Sequence, residues 1–360
     1  MATILPERTR FEATLGEVTG AIGDSVTVLP LVAALGALTP ASLPHVLAGF
    51  AVFQVVWGAA YGVPLSVEPM KVLAGLAIAG SIGYGDLVAA GLVAGAVLLA
   101  TGRLGLLSRL AAAVGEPVVR GVQFAVTCLL VVAAADLALA APAVAVAGVA
   151  VAAVVALVSP RSVGLVVLAA GLLWGVAVAG VPAASLPAAS LFPSGGPTLT
   201  LDAAEGAVAQ LAMTVGNAAV ATSLLLSDRY GADVSPDRLA ESMGVMNLAA
   251  VPLGALPMCH GSGGLAGKHA FGARTASANL VAGCLYAGAA VVSGLFDAVP
   301  MALLGVLLVA VAASLARTTL AATDRRGFVV AVGALAVLTN VGVAFVVGAA
   351  WRLARTRGFR

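Results

Sequence analysis

Two short segments gather prolines, glycines and polar side chains within otherwise apolar stretches of the chain. Residues 62–71 read Gly-Val-Pro-Leu-Ser-Val-Glu-Pro-Met-Lys, and residues 252–264 read Pro-Leu-Gly-Ala-Leu-Pro-Met-Cys-His-Gly-Ser-Gly-Gly. Each segment contains two prolines and the second contains four glycines, which a continuous helix tolerates poorly. We therefore predict that a helix is interrupted in each segment and restarts at the segment's carboxyl end.

The two helix restarts could together bind an anion. A helix N-terminus carries unpaired N–H groups and about half a positive charge. Pro69 suits the first turn of one half-helix, Lys71 would add a full positive charge, and the glycines leave the backbone of the other half-helix unobstructed. Two such ends that face one another predict a site for a small tetrahedral oxyanion. The residues expected to line it are Ser66, Glu68, Pro69, Lys71, His260, Gly261, Ser262, Gly263 and Gly264.

Two further polar residues lie at matching places in the two halves of the chain. Asp24 and Asn217 each follow a glycine and are 193 residues apart, as are Pro64 and Pro257. An ionisable residue within a membrane span is by default a candidate for function. Interrupted segments at corresponding places in two halves indicate a transporter binding site. Asp24 and Asn217 are therefore added to the predicted site.

The elements that must position these residues follow from composition. Hydrophobic residues make up 61% of the 360 residues and charged residues 9%, against about 25% charged residues in a soluble domain. This composition excludes a soluble domain and a disordered chain, and a net charge of +2 does not support a nucleic-acid partner. Apolar stretches of about 20 residues predict an all-α polytopic membrane protein that has the lipid bilayer as a partner.

Fourteen spans are predicted, seven on each side of a Pro/Gly/Ser-rich linker at residues 182–200. They cover residues 16–36, 42–60, a short span from 69, 85–101, 117–138, 141–158, 162–181, 203–226, 237–256, a short span from 261, 274–294, 298–315, 326–339 and 340–354. Residues 1–190 and 191–360 would be inverted repeats, with two half-helices that meet at mid-membrane. No soluble regulatory domain is expected.

Basic residues predict that both termini lie in the cytoplasm. By this count, Lys and Arg fall in the N-terminal segment, in the loops after spans 4, 6, 8, 10 and 12, and in the C-terminal tail, all on the inner side. Lys268 is interpreted as part of the loop after span 10. Only 25 residues separate Arg326 from Arg352, so the last two spans should be short or tilted. The expected location is the cell membrane.

Several stretches resemble the molybdate transporter family, a relative of the sulfate permeases. They are residues 16–24, 64–71, 215–218 and 257–267, followed by Phe-Gly-Ala-Arg-Thr at 271–275. The stretch His-Gly-Ser-Gly-Gly-Leu-Ala-Gly is the most specific of them. The resemblance implies a uracil-permease-like fold of seven plus seven inverted spans, divided into a core and a gate domain, and transport of molybdate. It also implies a homodimer by analogy, and Glu68 stands where the family usually has Gln.

We expect a secondary-active transporter of an oxyanion, with molybdate as the first candidate, that works by alternating access. The alternatives are a sulfate permease that uses the same site, a proton-coupled carrier of another small anion or neutral solute, a passive channel and, most remotely, a membrane-embedded enzyme. Coupling to protons or to another cation stays open. No cofactor or metal is expected, because the chain has no ATP-binding motif and no metal-ligand spacing. Its three cysteines are interpreted as small buried apolar residues.

Overall fold

The described residues of the first half form seven helices. A computed structural model describes residues 10–107, 116–184, 186–339 and 341–357. The helices are α1 (Leu15–Leu38), α2 (Leu43–Tyr61), α3 (Lys71–Ile78), α4 (Tyr84–Arg103), α5 (Glu116–Ala140), α6 (Pro142–Val158) and α7 (Val163–Ala179). Prolines open several of them, as Pro142 does in α6, because the first turn of a helix does not need their missing N–H group.

The described residues of the second half also form seven main helices, and the third of them is again short. Its helices are α8 (Leu201–Tyr230), α9 (Pro236–Ala250), α10 (Ser262–Ala270), α11 (Ser277–Val291), α12 (Met301–Ala321), α13 (Arg326–Leu338) and α14 (Val341–Arg357). A π-helical segment, Thr214–Ala221, lies within α8, and a single turn, Gly294–Asp297, precedes α12. In the part of the chain that the structure describes, these fourteen helices stand where fourteen spans were predicted. The predicted all-α polytopic fold is confirmed.

The helices differ in length, and the two short helices are those that follow the interrupted segments. Among the described residues, six helical stretches are at least 18 residues long and apolar enough to cross a membrane, and they lie in α1, α2, α4, α5, α8 and α12. By contrast, α3 has 8 residues and α10 has 9, well short of the roughly 20 that a span needs. Both are half-helices, as the interrupted segments predicted.

The two interrupted segments meet as a short antiparallel ladder. Strand β1 (Glu68–Pro69) pairs with β2 (Met258–Cys259). The N–H group of Met70 donates to the carbonyl oxygen of Pro257 at 2.8 Å. Backbone that leaves a helix inside a membrane needs partners within the protein. Here each segment supplies the other's partners and brings the starts of α3 and α10 together.

Pro69 does not occupy its predicted place in the first turn of a half-helix. It lies in β1, and α3 begins two residues later at Lys71, with Met70 as its N-cap. A proline is acceptable here because it lies in a two-residue strand, where few ladder hydrogen bonds need its missing N–H group. The prediction was wrong because the strand forms only when the other half of the chain is present.

Glycines bring α4 and α9 into close contact beside the ladder. A Cβ atom on Gly244 would lie 2.5 Å from the nitrogen of Leu99, and one on Gly102 would lie 2.6 Å from the carbonyl oxygen of Asp237. Small residues let membrane helices approach in this way. The close approach fixes α9 next to α4, and α9 carries polar groups that hold β2.

Two other predictions meet different outcomes. The last two spans are separate helices, α13 and α14, as predicted. The interpretation of all three cysteines as buried holds only for Cys259, because Cys128 is half-buried and Cys284 is exposed. An exposed apolar position on α11 is acceptable because the outer surface of a membrane protein faces lipid.

Candidate functional site

Six of the predicted site residues lie together where α1, β1 and the start of α10 meet. They are Asp24, Ser66, Glu68, His260, Gly261 and Gly264, all of them buried. The hydroxyl of Ser66 donates to Oδ1 of Asp24 at 2.6 Å. A Cβ atom on Gly264 would overlap Asp24, Ser66 and Glu68, and one on Gly261 would overlap the Glu68 carboxylate. Glycine is therefore required at both positions by close approach.

The Asp24 carboxylate is paired with a buried lysine. Nζ of Lys268 lies 3.2 Å from Oδ2 of Asp24, and both side chains are fully buried. Gln54 donates to the same carboxylate oxygen at 3.1 Å. The prediction that Lys268 lies in a cytoplasmic loop was wrong, because the residue belongs to α10, which packs against α1. The positive charge of Lys268 is paired with a carboxylate inside the protein. It therefore gives no information about which side of the membrane this segment faces.

Glu68 and Lys71 form a second ion pair. Nζ of Lys71 lies 2.7 Å from Oε2 of Glu68, and the Lys71 side chain is 18% exposed against 2% for Glu68. Among the described residues, no hydrogen-bond donor reaches the other oxygen, Oε1. This oxygen lies against Gly261 and Gly264, at the start of α10. The positive charge of Lys71 is thus balanced within the protein.

The start of α3 is capped by a side chain from the second half. Oε1 of Gln210 accepts hydrogen bonds from the N–H groups of Val72 at 3.0 Å and Leu73 at 3.3 Å. Gln210 is fully buried, and its amide group donates to Thr214 at 2.9 Å. The sequence analysis treated the two helix starts as equivalent. They differ, because the side chain of Gln210 accepts hydrogen bonds from N–H groups in the first turn of α3.

The start of α10 is the accessible side of the cluster. Gly263 is exposed and Ser262 is half-buried, and Gly261, the N-cap residue, offers no side-chain acceptor. The first N–H groups of a helix have no partner within that helix. The hydroxyl of Ser262 donates to Oδ1 of Asn217 at 2.7 Å, and Asn217 lies half-buried in the π-helical segment of α8. Segments of this kind occur frequently at functional sites.

His260 is held on both ring nitrogens. Nε2 lies 2.8 Å from the hydroxyl of Ser242, and Nδ1 lies 3.3 Å from the carbonyl oxygen of Ser66. The rings of Trp57 and Tyr61 stand edge-on to the imidazole, with centroids at 6.0 and 6.1 Å. A ligand bound through this ring would have to displace one of these contacts. His260 connects β2 to α2 and α9.

Sequence reasoning missed several neutral and charged groups that build this site. They are Gln54, Gln210, Asn247, Lys268 and Asn279, each of them fully buried. Asn247 holds β2 by both accepting from and donating to the backbone of Met258, at 2.7 Å in each case. The available signal was the presence of polar side chains within apolar spans. Sequence gave no indication of which of them would meet.

The electrostatics of the site are balanced without a ligand. Two carboxylates, on Asp24 and Glu68, face two ammonium groups, on Lys71 and Lys268. An incoming anion would bring further negative charge close to the two carboxylates. Its favourable contacts would be the N–H groups in the first turn of α10, which have no acceptor within that helix, and nearby hydroxyl and ammonium donors. The geometry therefore suits the binding of a small oxyanion.

Comparison with known proteins identifies a family. The family described as "Molybdate transporter of MFS superfamily" matches residues 16–130 and 202–315, more than half of the chain. The first stretch runs from α1 into α5 and the second from α8 into α12. The two matched stretches are nearly equal in length and contain every residue of the site described above.

Individual relatives and solved structures agree with this match. Molybdate transporter 1 of Arabidopsis thaliana is 28% identical over 358 residues, which cover 83% of this chain and 78% of the plant protein. The transmembrane domain of the cyanobacterial bicarbonate transporter BicA superposes with a TM-score of 0.67 at 17% identity, covering 92% of this chain and 97% of that one. The murine anion transporter Slc26a9, in its inward-facing state, gives a TM-score of 0.69 at 11% identity over 98% and 70% of the two chains.

Proposed function

The chain belongs to the molybdate transporter family, as its motifs indicated, and on this premise we propose that it carries molybdate across a membrane by secondary active transport. The family and the structural neighbours are transporters rather than enzymes. The observation that supports a location for the binding site is the accessibility of the start of α10. There Ser262 and Gly263 lie in the first turn of α10, whose N–H groups have no acceptor within the helix, beside Asn217 and close to the two ion pairs.

A tetrahedral dianion would bind by its oxygens to this helix start. The α10 amide groups would point at one face of the ligand, where the helix dipole favours negative charge. The hydroxyl of Ser262 and the amide of Asn217 would contact further oxygens, once their mutual hydrogen bond is exchanged for bonds to the ligand. Of the two lysines in the chain, Lys71 is the partly exposed one. Backbone N–H groups distinguish anions by their shape and charge. Sulfate and tungstate, which are also tetrahedral dianions, are therefore the expected competitors of molybdate.

We propose that transport proceeds by alternating access between two inverted repeats, residues 1–190 and 191–360. The core domain would comprise α1–α4 and α8–α11, and the gate domain α5–α7 and α12–α14. Three features support this division: the equal order of elements in both halves, the pairing of β1 with β2, and two matched family stretches that start at α1 and α8. The site lies within the proposed core, where rigid-body movement against the gate would expose it to either side.

Binding of oxyanions to the purified protein tests this proposal directly. We expect molybdate to bind, and Ser262→Ala to raise its Kd by about tenfold, the equivalent of one lost hydrogen bond to a charged group. The measurement is isothermal titration with molybdate, tungstate and sulfate. Ser314→Ala is the matched control, because Ser314 is exposed on α12, away from the site. A chain that binds no oxyanion would contradict the proposed substrate class, and binding of sulfate alone would favour the sulfate permease.

We further propose that Glu68 couples substrate movement to protons. A dianion at the start of α10 would lie beside the Glu68 carboxylate, and two negative charges at close range repel each other strongly in a site of low polarity. Neutral Glu68 would remove this repulsion and free Lys71 for the ligand. Besides Lys71, the ionisable groups of Cys259, Lys268 and Tyr286 interact electrostatically with Glu68, and the Asp24 carboxylate lies beside it next to Gly264.

Uptake by the wild-type protein should therefore be faster when an inwardly directed proton gradient is imposed than when the pH is equal on both sides. Glu68→Gln should retain uptake and lose most of that stimulation, because an amide group cannot carry the coupled proton. Initial rates of molybdate uptake into proteoliposomes, measured with and without the imposed gradient, check this expectation. Equal stimulation of Glu68→Gln and the wild-type protein would exclude the residue as the coupling group.

Orientation and assembly are also proposals. We place the chain in the cell membrane with both termini in the cytoplasm, as the distribution of arginines supports once Lys268 is removed from the count. A homodimer stays a prediction from the resemblance. Labelling of single cysteines placed near each terminus in sealed vesicles would test the orientation, and the mass of the detergent-solubilised protein would test the dimer.

A further inference from the structure

The Lys268 ammonium group lies inside a cage of oxygen atoms. Nζ is 2.9 Å from Oε1 of Gln54, 2.9 Å from Oδ1 of Asn279, 3.2 Å from Oδ2 of Asp24 and 3.4 Å from the carbonyl oxygen of Leu65. These oxygens come from α1, α2, α11 and the segment before β1. The Lys268 side chain is fully buried. Four oxygens from four parts of the fold thus converge on one monovalent cation.

The cage is held in place by bonds that do not involve Lys268. The amide nitrogen of Gln54 donates to Asp24 and to the carbonyl oxygen of Val67, both at 3.1 Å. The amide nitrogen of Asn279 donates to the carbonyl oxygens of Gln54 at 2.9 Å and Leu65 at 2.6 Å. These donors settle the orientation of both amide groups, so their oxygens must face inward. The cage therefore keeps its oxygens pointed at its centre whatever cation fills it.

One carboxylate, two amide oxygens and a backbone carbonyl form a ligand set suited to a hard metal cation. An alkali metal ion would satisfy the single negative charge of Asp24 as the ammonium group does. We infer that Lys268 is a tethered cation that occupies an alkali-metal site, so the native protein needs no sodium or potassium ion there. Truncation of Lys268 should open this site to a free alkali ion. The Lys71 ammonium group differs, because it is partly exposed and its described ion-pair partner is a single carboxylate.

The test compares the purified wild-type protein with Lys268→Ala in potassium chloride, sodium chloride and choline chloride at equal ionic strength. Thermal unfolding in detergent and molybdate uptake in proteoliposomes are the two measurements. The wild-type protein should behave alike in all three salts. Lys268→Ala should melt at a lower temperature in choline chloride and recover saturably when potassium or sodium is added. Its uptake should rise at least fivefold on the same addition.

Two variants serve as controls for the cage. Lys71→Ala should show no response to alkali ions, because its ammonium group does not lie in a cage. Lys268→Ala combined with Asn279→Leu removes one ligand and should lose the recovery. The inference would be overturned by a wild-type protein that requires sodium or potassium, or by Lys268→Ala that behaves alike in every salt. It would also be overturned if Lys268→Ala stayed unfolded in every salt while Asp24→Asn/Lys268→Ala folded, because the vacated cage would then bind no ion.

The uptake measurement depends on the proposed function, whereas the melting temperature does not. If no form of the protein carried molybdate and potassium still stabilised Lys268→Ala, the proposed substrate would fail and the inference would stand. If molybdate transport were intact and no alkali ion stabilised the variant, the inference alone would fail.

Discussion

Gly264→Ala should reduce molybdate uptake by about 100-fold, the loss expected when groups that must act together are displaced by roughly 1 Å. The added Cβ atom would overlap Asp24, Ser66 and Glu68. All three side chains are buried, so the start of α10 would have to move away from β1. Overpacking of this kind costs roughly 1–3 kcal/mol of stability, which a folded variant can survive. Uptake and molybdate binding, measured on the folded variant, check the expectation.

Two other glycines provide the controls for Gly264. A Cβ atom on Gly288, in α11, would meet no atom of the described chain within 4 Å, so Gly288→Ala should keep normal uptake. Gly263→Ala likewise gains a Cβ in open space, but on the side where the anion would bind. It should fold normally and bind molybdate less tightly than the wild-type protein. Equal uptake by Gly264→Ala and Gly288→Ala would rule out the start of α10 as the binding site.

Removing either partner of the Asp24–Lys268 pair should destabilise the protein by roughly 3–5 kcal/mol, because an uncompensated buried charge remains. The variants are Asp24→Asn and Lys268→Met. Combining them removes both charges, so the double variant should lose clearly less stability than the sum of the two single losses. Denaturant titration in mixed micelles, with choline as the cation, measures the free energy of unfolding and keeps alkali ions out of the cage.

Lys71→Met is the matched control for this cycle. Its side chain is 18% exposed, so Glu68 can gain solvent when the ammonium group is lost, and the loss of stability should be smaller than in Lys268→Met. Additive losses in the Asp24/Lys268 cycle would mean that the two groups do not stabilise each other. In that case their close approach would be a consequence of packing alone.

The helical framework and the two interruptions could be predicted because both depend on neighbours in sequence. A membrane span satisfies its own backbone hydrogen bonds, so local hydropathy was enough to predict each helix. Prolines and glycines likewise act on their own segment, which placed the breaks before α3 and α10. Local sequence also supplied the types of group at the site: glycine amides, a hydroxyl, and carboxylates within the membrane.

The pairing of polar groups was not predictable, because each bond joins residues far apart in the chain. Lys268 meets Gln54 across 214 positions, and Gln210 caps α3 across 138. A lysine after a short span has the same local pattern in a loop and in a buried half-helix, so it was assigned to the wrong place. Pro69 entered a strand for the same reason, because its partner strand lies in the other half. Sequence alone therefore predicted a helical membrane protein with two broken spans, through local hydropathy, and an oxyanion transporter, through its resemblance to a family. The capping of α3 by Gln210 and the burial of Lys268 were decided by long-range packing, because only the tertiary structure brings partners from distant parts of the chain to each polar group.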